Sequence, residues 1–383
     1  MSKNNILAWV LCSILGLTSC TKDEGAFEAS SSQPIVFSMP LIHKPQSRAV
    51  GEIATYPMSE RFVVNAVLTQ GDFVEWDDPS SKPFMNNVEV QYIPSANGWS
   101  STSPYYWPKS GKLTFVAHSP AALKDLLQSP ATDRPSYGAT GLTIPNFMVP
   151  PRGFHRSTDP MDATLPPYDA TQGVQCDVMY TDRAINKQAT NQQAGQVAPN
   201  YNGIDMKFRH ALASIHFKIC VKPTVQATFK LQQIRLTGIA HIGSFAENLT
   251  ATTPYTASPR WTVKPATTSY TVFDTPTGVE LPKNDLPQPI TTIDPNDGYD
   301  LILLPQDFTD KDAQVEIVLT MSSPAGGEIL QRLTFRLEEK TPSKRWNVAH
   351  RYTYNIIINP QQIYFNPEVE PWETESGGNI TIE

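Results

Sequence analysis

The chain has 383 residues, and its 37 Asp and Glu residues outnumber its 30 Lys and Arg residues, giving a formal net charge of −7. Acidic and dispersed charge of this kind argues against nucleic acid and anionic lipid headgroups as partners. Proline is abundant, with 34 residues against a usual share of about 5%. Long uninterrupted helices are therefore not expected.

The first feature in the chain is an uncharged apolar run at residues 6–17, which follows the single cation Lys3. Because the run is too short to cross a hydrocarbon core of about 30 Å, it predicts a signal peptide over residues 1–19. The sequence LTSC that ends at Cys20 resembles the lipobox of bacterial lipoproteins, whose cysteine is lipidated with acyl chains such as palmitate. We expect lipidated Cys20 to be the first mature residue. An ordinary secretory signal with an incidental cysteine is the alternative.

The mature protein keeps two further cysteines, Cys176 and Cys220. A disulfide between them is feasible in an exported protein. We prefer two free, partly buried thiols, because a domain of this length needs no covalent staple. The chain has no C-x-x-C pair and no Cys/His cluster with zinc spacing. No metal and no cofactor is expected apart from the covalent acyl lipid on Cys20.

Alternation of apolar and polar residues predicts strands along most of the chain. In residues 215–221, for example, Ile215, Phe217 and Ile219 point to one face. This pattern indicates an all-β fold of antiparallel sandwiches with little helix. One helix is expected, at residues 121–127. The predicted strands cover residues 35–39, 61–68, 88–93, 113–118, 206–210, 215–221, 229–238, 301–304, 315–321, 330–337, 351–358, 362–365 and 379–383.

The chain is long enough for two domains. A Pro-rich insertion follows the predicted helix and reaches about Tyr168. The polar stretch at residues 247–259 divides the strands about evenly and predicts a domain boundary, and residues 186–202 are a competing choice. The resulting organisation is a signal peptide (1–19), a lipidated N-terminal segment (20–48), an N-terminal β-sandwich (49–247) and a C-terminal β-sandwich (248–383).

The sequence does not indicate an enzyme. It has neither a G-x-S-x-G nucleophile motif nor a glycine-rich phosphate-binding loop. His210 and His216 would lie about 20 Å apart in an extended strand, too far for one metal ion. Tryptophans could stack on sugar rings, although they also fill sandwich cores. Trp76 and Trp99 lie in segments with the composition of polar turns and are the better candidates for exposure.

Several segments carry a resemblance to a known family. They are YYWPKSGKLTFVAHSP (105–120), CDVMYTD (176–182), MKFRHALASIHFKI (206–219), LILLPQDF (301–308), HRYTYNIII (350–358) and VEPWETESGGNITIE (369–383). Together and in this order they resemble the fimbrillin-like proteins of Bacteroidetes, the Mfa-like or fimbrillin A-like subunits of type V pili. The resemblance implies two tandem transthyretin-like β-sandwich domains, in agreement with the predicted strands.

The resemblance also implies a mode of assembly. In this family a trypsin-like protease cuts after an arginine near the first strand, and the freed groove accepts a donor strand from another subunit. The corresponding cut here falls between Arg48 and Ala49, and it would remove Cys20 with its lipid. An exposed arginine in a Pro/Ser loop is also open to any trypsin-like protease, so both interpretations stand. The candidate donor strand, which could instead close the protein's own second sheet, is Asn379, Ile380, Thr381, Ile382 and Glu383.

Three charged residues after the lipobox, Lys22, Asp23 and Glu24, resemble the signal that sends Bacteroidetes lipoproteins to the outer face of the outer membrane. The expected function is that of a structural and adhesive pilus subunit whose partners are other fimbrillin subunits, a processing protease and the outer membrane. A host or bacterial surface ligand is a further candidate partner. The alternative is a surface lipoprotein that binds glycan or host protein without polymerising. A stalk, tip or anchor role stays open.

Overall fold

The structure is a computed structural model that describes residues 29–38, 40–42, 54–96, 98–154, 167–189, 203–250, 259–359 and 363–371. The first strands are β1 (Ala29–Pro34), β2 (Leu41–Ile42), β3 (Ala54–Thr55), β4 (Arg61–Thr69), β5 (Lys82–Ile93), β6 (Gly98–Ser101), β7 (Tyr106–Pro108), β8 (Lys112–Ser119), β9 (Ser136–Gly138), β10 (Gly141–Met148), β11 (Met179–Thr181), β12 (Ala184–Lys187) and β13 (Lys207–His210). The remaining strands are β14 (Ala213–Val221), β15 (Thr228–Ala240), β16 (Ile242–Ala246), β17 (Arg260–Val263), β18 (Thr267–Glu280), β19 (Gln288–Pro289), β20 (Leu301–Leu303), β21 (Gln314–Ser322), β22 (Glu328–Arg336), β23 (His350–Ile358) and β24 (Ile363–Pro371).

Helices are short in the described part of the chain. They are α1 (Ile290–Ile293), α2 (Leu337–Lys340) and 3₁₀ helices at Pro94–Ala96, Ala121–Leu126, Ala170–Gln172 and Pro342–Lys344. The helix predicted at residues 121–127 is thus present as a single 3₁₀ segment. None of the described helices is long and apolar enough to span a bilayer. The all-β prediction is confirmed.

Within the described ranges, the strands form five sheets. A nine-stranded sheet has the order β3-β2-β13-β11-β8-β4-β5-β6, with β12 also paired to β8, and β1 pairs with β7. Two sheets are built from strands in the second half of the chain. One is five-stranded, with the order β19-β14-β23-β24 and β20 paired to β14, and the other is four-stranded, with the order β18-β15-β21-β22. A further four-stranded sheet, β17-β16-β10-β9, is called the middle sheet here.

Two hydrophobic cores lie within these sheets. The first core contains buried side chains of the nine-stranded sheet, among them Phe62, Phe115 and Phe208, and those of Ile35 and Phe37. We call the nine-stranded sheet together with this core the N-terminal sandwich. The second core contains side chains of the middle sheet and of β14, β15, β21 and β23. We call the two sheets that contain these four strands the C-terminal sandwich. Each fully buried large apolar side chain contributes roughly 1.5–3 kcal/mol, so the two cores account for much of the stability.

One central pairing differs from the antiparallel prediction. β14 and β23 run parallel, in register from Ser214↔Arg351 to Val221↔Ile358. Side chains on both faces of β14 are mostly buried, which is the usual situation of a parallel strand. Alternation along a strand indicates which side chains share a face, but it does not specify the direction of the partner. The sequence could therefore predict the strand and not its pairing.

The sheets cross the predicted boundary at residue 247. β14 and β15 precede residue 247, yet they pair with β18, β20, β21 and β23 of the C-terminal sandwich. The polar stretch that suggested the boundary connects β16 to β17, which are antiparallel neighbours in the middle sheet. It is therefore a connection within one sheet, and its composition alone could not distinguish a hairpin connection from a domain linker.

Candidate functional site

The residues that the sequence assigned to lipidation, export, processing and strand donation lie outside the described residues. They are Cys20, Lys22, Asp23, Glu24, Arg48, Ala49, Asn379, Ile380, Thr381, Ile382 and Glu383. Their roles stay predictions. The structure does describe the chain just before the expected cut, at residues 34–38 and 40–42. We call these residues the N-terminal strand segment.

Backbone hydrogen bonds hold the N-terminal strand segment on two sides. On one side, the N–H groups of Ile35 and Phe37 donate to the carbonyls of Tyr105 and Trp99 at 2.7 and 2.9 Å. On the other side, three bonds of 3.0–3.1 Å join the segment to residues 204–206; they run from Ser38 N–H to the Ile204 carbonyl, from Ile204 N–H to the Val36 carbonyl and from Leu41 N–H to the Met206 carbonyl. The segment therefore occupies an inner position between two neighbours.

The side chains of the segment fill the first core. Ile35, Phe37 and Ile42 are only 1%, 2% and 3% exposed. The Phe37 ring meets the rings of Phe62 and Phe115 edge-on, at centroid distances of 6.0 and 5.9 Å, a favourable aromatic geometry. Removing the segment would leave an apolar groove lined by aromatic rings and bordered by backbone groups without partners.

A glycine makes room for the segment. Gly203 has a positive φ of +103°, and a Cβ at this position would lie 2.3 Å from the backbone nitrogen of Ser38. Only glycine adopts this conformation and permits so close an approach without strain. The chain before β13 is thus adapted to the presence of the N-terminal strand segment.

Tyr56 joins the segment to the part of the chain that follows the expected cut. Its N–H donates to the carbonyl of Pro40 at 2.9 Å, and its buried hydroxyl lies 2.7 Å from the hydroxyl of Ser119. The ring also stacks on Phe208 at 4.9 Å. Loss of residues up to 48 would break the bond to Pro40 and leave the contacts to Ser119 and Phe208 in place.

Buried polar groups lie beside this region. His210 Nδ1 and Asp177 Oδ2 are 2.7 Å apart, and both side chains are buried. The Glu60 carboxylate accepts a hydrogen bond from the N–H of Tyr168 at 3.1 Å, and burial raises the pKa of Glu60 to about 7. No group of three or more His, Cys, Asp or Glu side chains among the described residues is placed to hold a metal ion. These groups connect backbone segments inside the protein.

The histidines and cysteines of the sequence analysis lie in separate places. His216 contacts Asp300 at 2.9 Å, on a different strand pairing from His210. Cys176 and Cys220 are free and buried, so the preference for two unbonded thiols agrees with the structure. Burial raises the pKa of both thiols, which makes them poor nucleophiles.

The two tryptophans selected as candidates for exposure differ. Trp99 is 1% exposed and packs against the rings of Tyr56 and Phe62, so its predicted exposure is wrong. Trp99 lies on β6, and not in the polar turn that the local sequence suggested, and its side chain is part of the first core. Trp76 is half-buried and lines a cavity of about 270 Å³ together with Tyr137 and three asparagines. A second cavity, of about 630 Å³, is lined by residues that include Trp261, Arg260 and Arg345.

Comparisons with known proteins agree with this architecture. The model of a family described as fimbrillin-like matches residues 64–372. No curated protein matches the chain. Among solved structures, a fimbrial protein from Bacteroides vulgatus matches with a TM-score of 0.52 and 14% identity, covering 82% of this chain and 93% of that one. This similarity supports the fold alone.

Two further structures are less similar. A candidate cell adhesion protein from Bacteroides uniformis matches with a TM-score of 0.46 and 13% identity, covering 88% of this chain and 98% of that one. The tip fimbrial protein Mfa3 from Porphyromonas gingivalis, with a C-terminal truncation, matches with a TM-score of 0.33 and 10% identity, covering 88% and 99%. The match to the family model therefore carries the assignment.

Proposed function

The chain belongs to the fimbrillin-like family, and from this premise we propose that it is a structural and adhesive subunit of a type V pilus that assembles by strand exchange. Members of this family are fimbrial or adhesion subunits of a cell-surface appendage, and the family is structural rather than enzymatic. In this proposal the subunit is exported as a lipoprotein, processed by a protease and connected to the next subunit by a donated strand.

Export as a lipoprotein rests on the N-terminal sequence. The lipobox ending at Cys20 and the adjacent charges of Lys22, Asp23 and Glu24 support delivery to the outer face of the outer membrane. Two or more acyl chains are sufficient for stable anchoring, since each buried CH₂ contributes about 0.8 kcal/mol. In this state the subunit is held on the membrane and its N-terminal strand segment occupies its own sandwich.

Processing at Arg48 is supported by the placement of the N-terminal strand segment, which is the observation that carries the proposal. The segment ends at Ile42, six residues before Arg48, and its side chains at Ile35, Phe37 and Ile42 are buried in the first core. A cut after Arg48 separates the segment from the rest of the sandwich covalently. The uncovered groove then attracts an extended strand from another molecule.

The proposed donor is the C-terminal stretch Asn379–Glu383 of a second subunit, whose alternating side chains suit such a groove. A donor that forms backbone hydrogen bonds in place of those of the N-terminal strand segment regains about 0.5–1.5 kcal/mol for each bond. The two apolar side chains of this stretch, Ile380 and Ile382, have the spacing of Ile35 and Phe37 and add roughly 1.5–3 kcal/mol each when they are buried in those positions. A connection of this kind dissociates slowly.

The test is limited trypsin treatment of the purified protein, followed by electrophoresis in SDS without boiling. We expect selective cutting after Arg48 and then a ladder of SDS-resistant oligomers. The Arg48→Gln variant should stay uncut at this position and monomeric, whereas Arg134→Gln, which removes an exposed arginine of another loop, should behave like the wild type. Clean cutting after Arg48 that leaves only monomers would contradict strand exchange and favour a non-polymerising surface lipoprotein.

A further inference from the structure

We propose that the cavity of about 270 Å³ around Trp76 binds an uncharged sugar residue, so that the subunit carries a glycan-binding site of its own. This goes beyond the proposed function, since it concerns a ligand of the subunit and does not depend on strand exchange. We call the cavity the Trp76 pocket.

Separate parts of the chain build the Trp76 pocket. Trp76 lies in the loop between β4 and β5, and Tyr137 lies on β9 of the middle sheet. The carboxylate of Asp77 accepts a hydrogen bond from the N–H of Ala139 at 2.8 Å, which ties that loop to the end of β9. The two aromatic side chains are therefore held in a fixed relation before any ligand arrives, and this lowers the entropic cost of binding.

The aromatic wall of the pocket is held in place. The rings of Trp76 and Tyr137 lie 5.8 Å apart at an angle of 42°. Phe73 supports Trp76 from the side at 6.5 Å, and the Tyr137 hydroxyl lies 3.0 Å from Nδ1 of His118. Trp76 is only half-buried, so part of its surface remains open to the cavity. The C–H face of a sugar ring packs on an aromatic surface of this kind, which offers an apolar body next to a polar edge.

Side-chain amides also line the cavity. β5 bulges where Asn87 adopts a positive φ of 51°, and this brings Asn65, Asn86 and Asn87 to one side of the cavity. The Asn87 N–H donates to Asn65 Oδ1 at 2.9 Å, and Asn87 Nδ2 donates to Asn86 Oδ1 at 3.1 Å. A side-chain amide both donates and accepts hydrogen bonds. Neighbouring hydroxyl groups of a sugar need both functions within a small distance.

Charge and size restrict the ligand. The described lining residues include no Asp, Glu, Lys, Arg or His, and burial of His118 behind Tyr137 lowers the pKa of that imidazole to about 4, which keeps it neutral. An anionic ligand would lose hydration here and gain no ion pair, so it is disfavoured. The volume lies just below the range of roughly 300–1,000 Å³ that is usual for small-molecule sites. One terminal sugar residue of a neutral glycan fits both limits.

The experiment is saturation-transfer NMR on the purified protein with methyl glycosides of neutral hexoses and N-acetylhexosamines and with the anionic methyl glucuronide for comparison. Each glycoside is titrated to obtain a dissociation constant. We expect transfer to at least one neutral glycoside, with affinity reduced at least tenfold by Trp76→Ala and by Asn87→Gly. Glycine keeps the positive φ at position 87 and removes the amide. Tyr106→Ala removes an exposed aromatic side chain away from the cavity (38% exposed) and should leave binding unchanged.

Three results would overturn the proposal: no transfer to any neutral glycoside, transfer only to methyl glucuronide, or affinity unchanged in both pocket variants. Near-UV circular dichroism and the thermal midpoint report whether each variant is folded. If Trp76→Ala does not fold, Trp76→Phe takes its place and should also weaken binding. Asn87→Gly must still lose affinity tenfold. All pocket variants should form the same trypsin-induced oligomers as the wild type, so a failure here is separate from a failure of strand exchange.

Discussion

Individual side chains are used differently from what residue type alone suggested. From the local sequence, Trp76 and Trp99 looked equally open to ligands, yet Trp99 fills the first core while Trp76 lines a cavity. The difference depends on which face of the local backbone each side chain occupies and on long-range neighbours such as Tyr56 and Tyr137. Neither is visible in the local sequence. The buried carboxyl groups are a second case, because nothing in the sequence around Glu60 indicates its burial.

Glu60 should make the stability of the protein depend on pH. Its pKa rises from an ordinary value of 4.5 to about 7 on burial, so the folded protein binds this proton more tightly than the unfolded chain. The stabilising contribution is complete below about pH 4.5 and is lost as the pH rises through about 7. Between pH 5 and pH 8, the free energy of unfolding of the wild type should therefore fall by about 2 kcal/mol more than that of Glu60→Gln. Denaturant titration at each pH measures both values.

A matched control for this experiment is Glu89→Gln, which changes an exposed glutamate on β5 that pairs with Arg61. This control should keep the pH dependence of the wild type. Some dependence should also remain in Glu60→Gln, because burial raises the pKa of Glu247 to about 7 as well. Equal pH dependence in the wild type and in Glu60→Gln would show that Glu60 is not held in its protonated form.

The sequence predicted the strands better than it predicted how they pair. Strands such as β4, β8, β14 and β23 agree with the predicted ranges because alternation is a local property of the sequence. The parallel pairing of β14 with β23 depends on partners more than 100 residues away. The N-terminal strand segment shows the same difference between local conformation and long-range pairing. Its extended conformation was predicted from residues 35–39, while its inner position next to residues 204–206 was not.

The fit of this segment should depend on Gly203. The variant Gly203→Ala places a Cβ 2.3 Å from the Ser38 nitrogen in a conformation that alanine rarely adopts, so we expect a loss of more than about 2 kcal/mol in stability. Hydrogen exchange of peptides covering residues 34–42 should become faster. Gly71→Ala is the control, because a Cβ there meets no atom within 4 Å and its effect should stay within about 0.5 kcal/mol. Unchanged exchange in Gly203→Ala would contradict the close approach.

At the scale of the whole molecule, the fold presents two regions with different uses. The N-terminal sandwich contains a segment that is buried in its core and lies only a few residues before a candidate protease site. The Trp76 pocket lies between the same sandwich and the middle sheet, away from that segment. In the proposed pilus one region connects subunits and the other contacts a glycan. The lipid on Cys20 would then serve delivery, and the cut after Arg48 would release the subunit for assembly.

The most direct test is the intact mass of the subunit taken from assembled polymer and from the membrane fraction of the same cells. The account predicts that polymerised subunits begin at Ala49 and that membrane-held subunits begin at acylated Cys20. The Arg48→Gln variant should be found only in the acylated form. Polymers whose subunits retain residues 20–48 would contradict the central claim, because the groove would still be filled by the protein's own strand.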